Sequence, residues 1–182
     1  MTLLEIISSA LEQQGKTSDA QVVHEWRDKF TQLANEGLAD LAGALRLRRT
    51  DTIDIGDDGL LDIKADLPYE CLKVIRITQD GKCIPFGKGP STYEIRVPVS
   101  GTADIEYRYL PNPMTNDTDE PGIPNRLHSL LVNYVCGKDI TTNDITTQSR
   151  SQQFYELYER GKIKAQKEYG EPEFYGITHK YD

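Results

Sequence analysis

Between residues 41 and 53 the hydrophobic period of this chain changes from 3.6 to 2, and that switch limits the fold more than any single motif. Upstream, Val22, Val23, Trp26, Phe30, Leu33, Ala34, Gly37, Leu38 and Leu41 fall on one helical stripe, which predicts a long helix ending near Gly43. Ser18 or Asp19 supplies its N-cap. Downstream, "LRLRRTDTIDI" alternates and reads as a strand. Helical spacing returns only at Pro124, with Leu127, Leu130, Leu131, Tyr134 and Val135 as a core stripe. Helices, then strands, then helices predict an α+β fold. In it an antiparallel α-helical bundle, built from both ends of the chain, carries a small inserted antiparallel β lobe.

The remaining segments fit that frame. Leu3, Leu4, Ile6, Ile7, Ala10 and Leu11 predict a first amphipathic helix that Gly15 ends. A short loop to the next helix makes the two antiparallel. "GDDG" (56–59) reads as a turn, and "ECLKVIRITQDGKCIPF" as a hairpin around Asp80-Gly81. "STYEIRVPVSGTADIEYRYLP" gives two more strands hinged at Ser100-Gly101, the first placed on a sheet edge by Pro98. "GKGP" (87–90) reads as a hairpin loop. After a break at "GKDITTNDITTQ", capped by Asp144 or Thr146, a last helix carries Phe154, Leu157, Tyr158, Gly161, Ile163, Ala165 and Tyr169 to Gly170. The predicted divisions are residues 1–44 (N-terminal helices), 45–110 (β lobe), 111–170 (loop and C-terminal helices) and 171–182 (an extended tail). Trp26, Phe30, Leu127, Leu131 and Tyr134 are expected to bury together.

Charge and composition exclude several classes of function. A formal net charge of -8 argues against a general nucleic-acid grip and against a polybasic membrane surface. No apolar run approaches the ~20 residues of a spanning helix, and Glu5 interrupts the apolar start, which lacks a basic leader. A cytoplasmic setting during synthesis is therefore expected. Cys71, Cys83 and Cys136 lack metal or redox spacing and read as buried free thiols.

Catalytic motifs are scarce. His24, His128 and His179 stand far apart and read as structural or surface residues. Asp54, Asp57, Asp58 and Asp62 fall within nine positions but lack the calcium-loop spacing, so they read as a solvated turn. Asp117, Asp119 and Glu120 precede a helix whose positive N-terminal end they complement, with Pro124 at its first position. Lys162, Lys164, Lys167, Arg150 and Arg160 make the last helix basic, with Glu156, Glu159 and Glu168 interleaved as partners. No enzyme, cofactor or metal is assigned on these residues.

One phrase points further. "IEYRYLPNPMTNDTDEPGIPNRLHSLLVNYVCGKD" resembles the tailed-phage head–tail connector proteins, also called adaptors or head-completion proteins. The resemblance rests on Tyr107, Tyr109, Pro111, Asp119, Pro121, Ile123, Pro124, His128, Leu131, Val132 and Tyr134. "WRDKFTQLANEGLADLA", with Asn35-Glu36, looks like that family's first long helix, "LPYECLKVIRITQDGK" like its first hairpin and "RSQQFYELYERGKIKAQ" like its last helix, in the same order. Tail tubular proteins of short-tailed phages share this texture.

The resemblance implies a structural virion protein at the head–tail interface, found in the host cytoplasm during assembly. It would form a ring of copies, commonly twelvefold in that family, on the portal protein. It would extend the channel through which DNA passes without specific binding, and dock a tail or nozzle protein. A tail tubular or tail-completion role is the alternative; a carboxylate- or metal-dependent hydrolase built on Asp54–Asp62 is a third reading. The junction loop Asp119, Pro121, Ile123 and Pro124 would set the angle between helices and β lobe. Portal contact is expected from the tail, at Phe174, Tyr175, Ile177, His179 and Tyr181.

Overall fold

The computed structural model describes residues 1–139 and 145–170, apart from the side chains of residues 145–147. It is a mixed α+β chain with antiparallel sheets. Helix α1 (Leu3–Gln13) begins with a capping box: Glu5 N–H donates to Thr2 Oγ1, and Thr2 N–H donates to the Glu5 carboxylate. It ends at Gly15, whose φ of 76° takes the left-handed turn that a helix terminus requires. Helix α2 (Ala20–Leu45) is capped by Asp19, which accepts from Val22 N–H at 3.0 Å. It runs past Gly43 because Leu45 is still in the core, and Arg46, at φ 54°, ends it.

Helices α3 (His128–Lys138) and α4 (Ile145–Tyr169) complete the helical part. One apolar cluster joins the helices, with Leu3, Ile6, Ile7, Phe30, Leu38, Leu41, Leu131, Val135 and Tyr158 at its centre. The expected set falls within it: Phe30, Leu127, Leu131 and Tyr134 are buried, and half-buried Trp26 packs on its rim. Leu157 and Ile163, two of the residues that mark α4 in the sequence, are each half-exposed. The face that turns inward instead follows Ser151, Tyr158 and Ala165, at strict seven-residue spacing. Thr146 lies inside α4 and so does not cap it; Asp144 is outside the described residues.

The strands are β1 (Arg48–Ile55), β2 (Leu60–Asp62), β3 (Glu70–Gln79), β4 (Lys82–Ile84), β5 (Gly87–Lys88), β6 (Glu94–Arg96) and β7 (Gly101–Leu110). They form a four-stranded sheet ordered β1-β7-β3-β4 and a three-stranded sheet ordered β2-β6-β5. A second apolar cluster lies between them, built on Ile55, Leu61, Ile77, Val97, Ile105 and Tyr107. Asp80 and Gly81 both take positive φ, as a two-residue hairpin turn demands.

Two strand expectations are corrected. The strand before Pro98 is not an edge: β6 is the central strand of its sheet, and it ends at Arg96, so Pro98 falls outside the ladder and costs no hydrogen bond. "GKGP" is not all loop, because Gly87 and Lys88 pair with Arg96 and Ile95. Two bulges in β3, at Leu72 and Ile75, keep its inward and outward faces in phase with β7 and leave Leu72 exposed.

Candidate functional site

The loop from Pro111 to Pro124 joins β7 to the helical part and is tied down along its length. Asn35, on α2, holds Met114 from both sides. Its amide donates to Met114 O at 2.9 Å, and its oxygen accepts from Met114 N–H at 2.8 Å. Met114 is thereby seated in the helical core. Arg27, two turns earlier on α2, donates from Nε to the Asp117 carboxylate at 2.9 Å and from NH2 to Thr115 O at 3.0 Å.

Asp119 organises the loop from within. Its carboxylate accepts from the backbone N–H groups of Thr115 and Asn116, each at 2.8 Å. Those two donors hold its pKa below the usual carboxylate range. Its carbonyl accepts from Leu3 N–H at 2.8 Å, and that of Asp117 from Leu4 N–H at 3.1 Å. Two donors of α1's first turn are thus satisfied by the loop. Asp117 and Asp119 thus brace the start of α1 and their own turn. Pro124 is not the first residue of a helix: it precedes a 3-10 turn, Asn125–Leu127, as its N-cap, and α3 begins only at His128.

Past Asp119 the loop becomes apolar. Pro121 is buried, and Ile123 joins the helical core at 6% exposure. A Cβ on Gly122 would lie 2.8 Å from Pro111 Cβ, so the two ends of the loop touch there. His128 is fully buried, with Nε2 3.1 Å from Ile123 O and Nδ1 2.9 Å from the Met1 amine. It is a brace between loop and helices, whereas His24 is exposed.

A second polar cluster escaped sequence reasoning. Asp139, at the end of α3, has a side chain only 1% exposed. Lys29 donates to its Oδ1, and Lys16 Nζ stands 3.7 Å from Oδ2, close enough for an ion pair but too far for a hydrogen bond. Lys16 also lies over the Trp26 ring, 3.3 Å from its centroid. Burial first, with the Lys29 charge, holds the Lys16 pKa below the usual lysine range against the opposing pull of Asp139. The cluster links the α1–α2 turn to the end of α3. Residues 16, 29 and 139 are too far apart for any motif to announce it.

The other candidates carry local structure. Asp58 accepts from Leu60 N–H at 3.1 Å, and Asp62 from Lys64 N–H at 2.9 Å, while Asp54 and Asp57 are exposed. Among the described residues no three His, Cys, Asp or Glu side chains are placed to hold a metal ion. An open hollow of about 580 Å³ beside the β5–β6 hairpin has Lys88 and Glu94 as its charged lining, and Glu94 is engaged with Ser91 N–H. The thiols are free, but only Cys136 is fully buried; Cys83 is exposed because its strand β4 is an edge.

On α4, Lys162 pairs with Glu159 at 2.9 Å and with Asp40 of α2 at 2.8 Å. Glu168 pairs with Arg126 at 3.2 Å. No helix among the described residues is long and apolar enough to cross a membrane. Phe174, Tyr175, Ile177, His179 and Tyr181 lie outside the described residues. Compared with known proteins, the chain matches no family model and no curated protein.

Proposed function

We propose that this chain is a structural protein of a tailed-phage virion: a head–tail connector that forms a homo-oligomeric ring on the portal, extends the DNA channel and docks the tail. On this reading the helices form an antiparallel bundle from both ends of the chain, with the β strands inserted as a lobe. The bracing of the 111–124 loop carries the proposal. The Asp119 carboxylate is engaged with the loop's own Thr115 and Asn116, and Asn35, Arg27, the α1 N–H groups and His128 all hold the loop from outside. Closing a ring requires every copy to repeat one geometry, and such a loop makes the angle between strands and helices reproducible. Asn35 and His128, with Pro111, Asp119, Pro121, Ile123 and Pro124 of the loop itself, also carry the resemblance to connectors.

The ring is twelvefold on this reading, and the 171–182 segment anchors it to the portal through Phe174, Tyr175, Ile177, His179 and Tyr181. Native mass measurement of the chain mixed with portal, and separately with tail or nozzle proteins, tests the assignment. Portal binding is the expected result. Binding only to tail or nozzle proteins would make it a tail tubular protein, and a monomer with one tightly held divalent ion would make it a hydrolase candidate.

A further inference from the structure

Two helices turn lines of opposite charge to solvent. On α4 the inward face follows Ser151, Tyr158 and Ala165. At the ~100° step of a helix, Arg160, Lys164 and Lys167 fall on the far side, and all three are exposed. Leu157 and Ile163 flank them, each half-exposed. Arg160 stands 4.0 Å from Glu156, and among the described residues Lys164 and Lys167 enter no ion pair. On α2 the inward face follows Phe30, Ala34, Leu38 and Leu41. Its far side carries Glu25, Asp28 and Glu36, again all exposed. Glu25 and Glu36 accept from the amides of Gln21 and Gln32 on the same line. The neighbouring cations, Arg27 and Lys29, are engaged with Asp117 and Asp139. Among the described residues none of the three carboxylates is in an ion pair.

Like charges three or four residues apart on a helix repel, so each line costs the single chain stability that an opposite line would return. The two lines cannot meet within one chain. Helices α2 and α4 touch along their flanks, through Lys162 with Asp40 and Gln166 with Ala44 O, and both lines point away from the core they share. At 1.5 Å per residue the basic line is about 10 Å long and the acidic line about 16 Å, so two helices laid side by side bring them together. We propose that the α4 line of one copy docks on the α2 line of a second copy. Surface ion pairs are individually weak. The charges therefore select the partner and its register, while removal of Leu157 and Ile163 from water supplies affinity. Nucleic acid fits less well, because Glu156 and Glu168 are interleaved on α4, the chain carries a net charge of -8, and phosphates offer nothing to Leu157 and Ile163. Because two different surfaces meet, the contact repeats head to tail and can close a ring. It rests on the ring reading above for that closure, but it is measured without portal, so either can fail alone.

Sedimentation velocity of the full chain and of two charge-reversal variants tests it. The first variant carries Glu25→Lys, Asp28→Lys and Glu36→Lys; the second carries Arg160→Glu, Lys164→Glu and Lys167→Glu. The wild-type chain should self-associate at low salt and come apart in ~1 M NaCl, where charges are screened within about 3 Å. Each variant alone sets like charges across the contact and should raise the Kd at least about tenfold. An equimolar mixture should associate again, because each line of one variant then meets an opposite line of the other. All six positions are exposed, so both variants should stay folded, and recovery in the mixture separates lost contact from lost structure. Variants that self-associate as tightly as the wild type, or a mixture that stays monomeric, would overturn this contact and leave the ring reading to its portal test. A wild-type chain that stays monomeric at low salt would overturn it as well. Retention of a short DNA duplex by the wild type, lost in the second variant, would assign the α4 line to nucleic acid instead.

Discussion

Two helical glycines should respond to the same substitution with opposite signs. Gly43 of α2 is exposed, and a Cβ built there meets nothing within 4 Å. Gly43→Ala therefore gains helix propensity alone, about 0.5–1 kcal/mol. Gly137 of α3 is buried against α4, where a Cβ would lie 2.8 Å from the Tyr155 backbone nitrogen and 2.9 Å from its Cα. Backbone atoms cannot rotate away, so α3 and α4 must separate. Overpacking of this kind costs roughly 1–3 kcal/mol, more than the propensity gain returns, and Gly137→Ala should lose about 1–2 kcal/mol net. For a chain of this size each kcal/mol moves Tm by roughly 2–4 °C. Thermal unfolding followed by circular dichroism should show Gly43→Ala rising by about 1–4 °C and Gly137→Ala falling by about 2–8 °C. A Gly137→Ala protein that melts as high as Gly43→Ala would refute the close α3–α4 contact.

Leu131 is fully buried in the helical core, so Leu131→Ala should cost roughly 2–5 kcal/mol in urea unfolding; a loss below about 1 kcal/mol would contradict that packing. Burial pushes the Cys136 thiol up to about 12, and burial also raises Tyr107 and Tyr158, each further raised by an aspartate partner. Raised acids stabilise the fold fully below their unfolded pKa and lose that contribution as pH climbs toward the folded one. The urea midpoint should therefore fall above about pH 9, and less steeply in Cys136→Ala. In native protein a maleimide should label exposed Cys83 at once and leave Cys136 untouched. Melting curves with calcium and with chelator should superimpose, because the Asp58 and Asp62 carboxylates already close their own turns.

The periodicities of α1 and α2 could be read from the chain because each buries one face, whereas α3 is buried at Tyr134, Val135, Cys136 and Gly137 in succession and was marked by its apolar content; Asp80-Gly81 was legible because only a tight turn tolerates that pair of positive φ values. What failed depends on contacts between distant segments. Pro98 signals a place without a ladder hydrogen bond, but it could not say that the strand had already stopped at Arg96. Asp117 and Asp119 stand just before a helix in sequence, yet their carbonyls meet the start of α1, more than a hundred residues away. Leu157 and Ile163 suit a helical stripe by composition and still face outward, since the Tyr134–Tyr158 ring contact fixes which side of α4 turns in. Asn35 was marked only through the family phrase; its two hydrogen bonds to Met114 supply the reason. The Lys16–Asp139–Lys29 cluster left no local trace, because burial of a charge is decided by what surrounds it.

Imaging isolated portal assemblies after incubation with the full-length chain tests the connector reading most directly. The expected image shows a second ring, coaxial with the portal and extending its channel, which disappears when the chain is truncated after Gly170 while the truncated protein keeps its melting temperature. Portal assemblies that look the same with and without the chain, while the chain stays monomeric in solution, would contradict it.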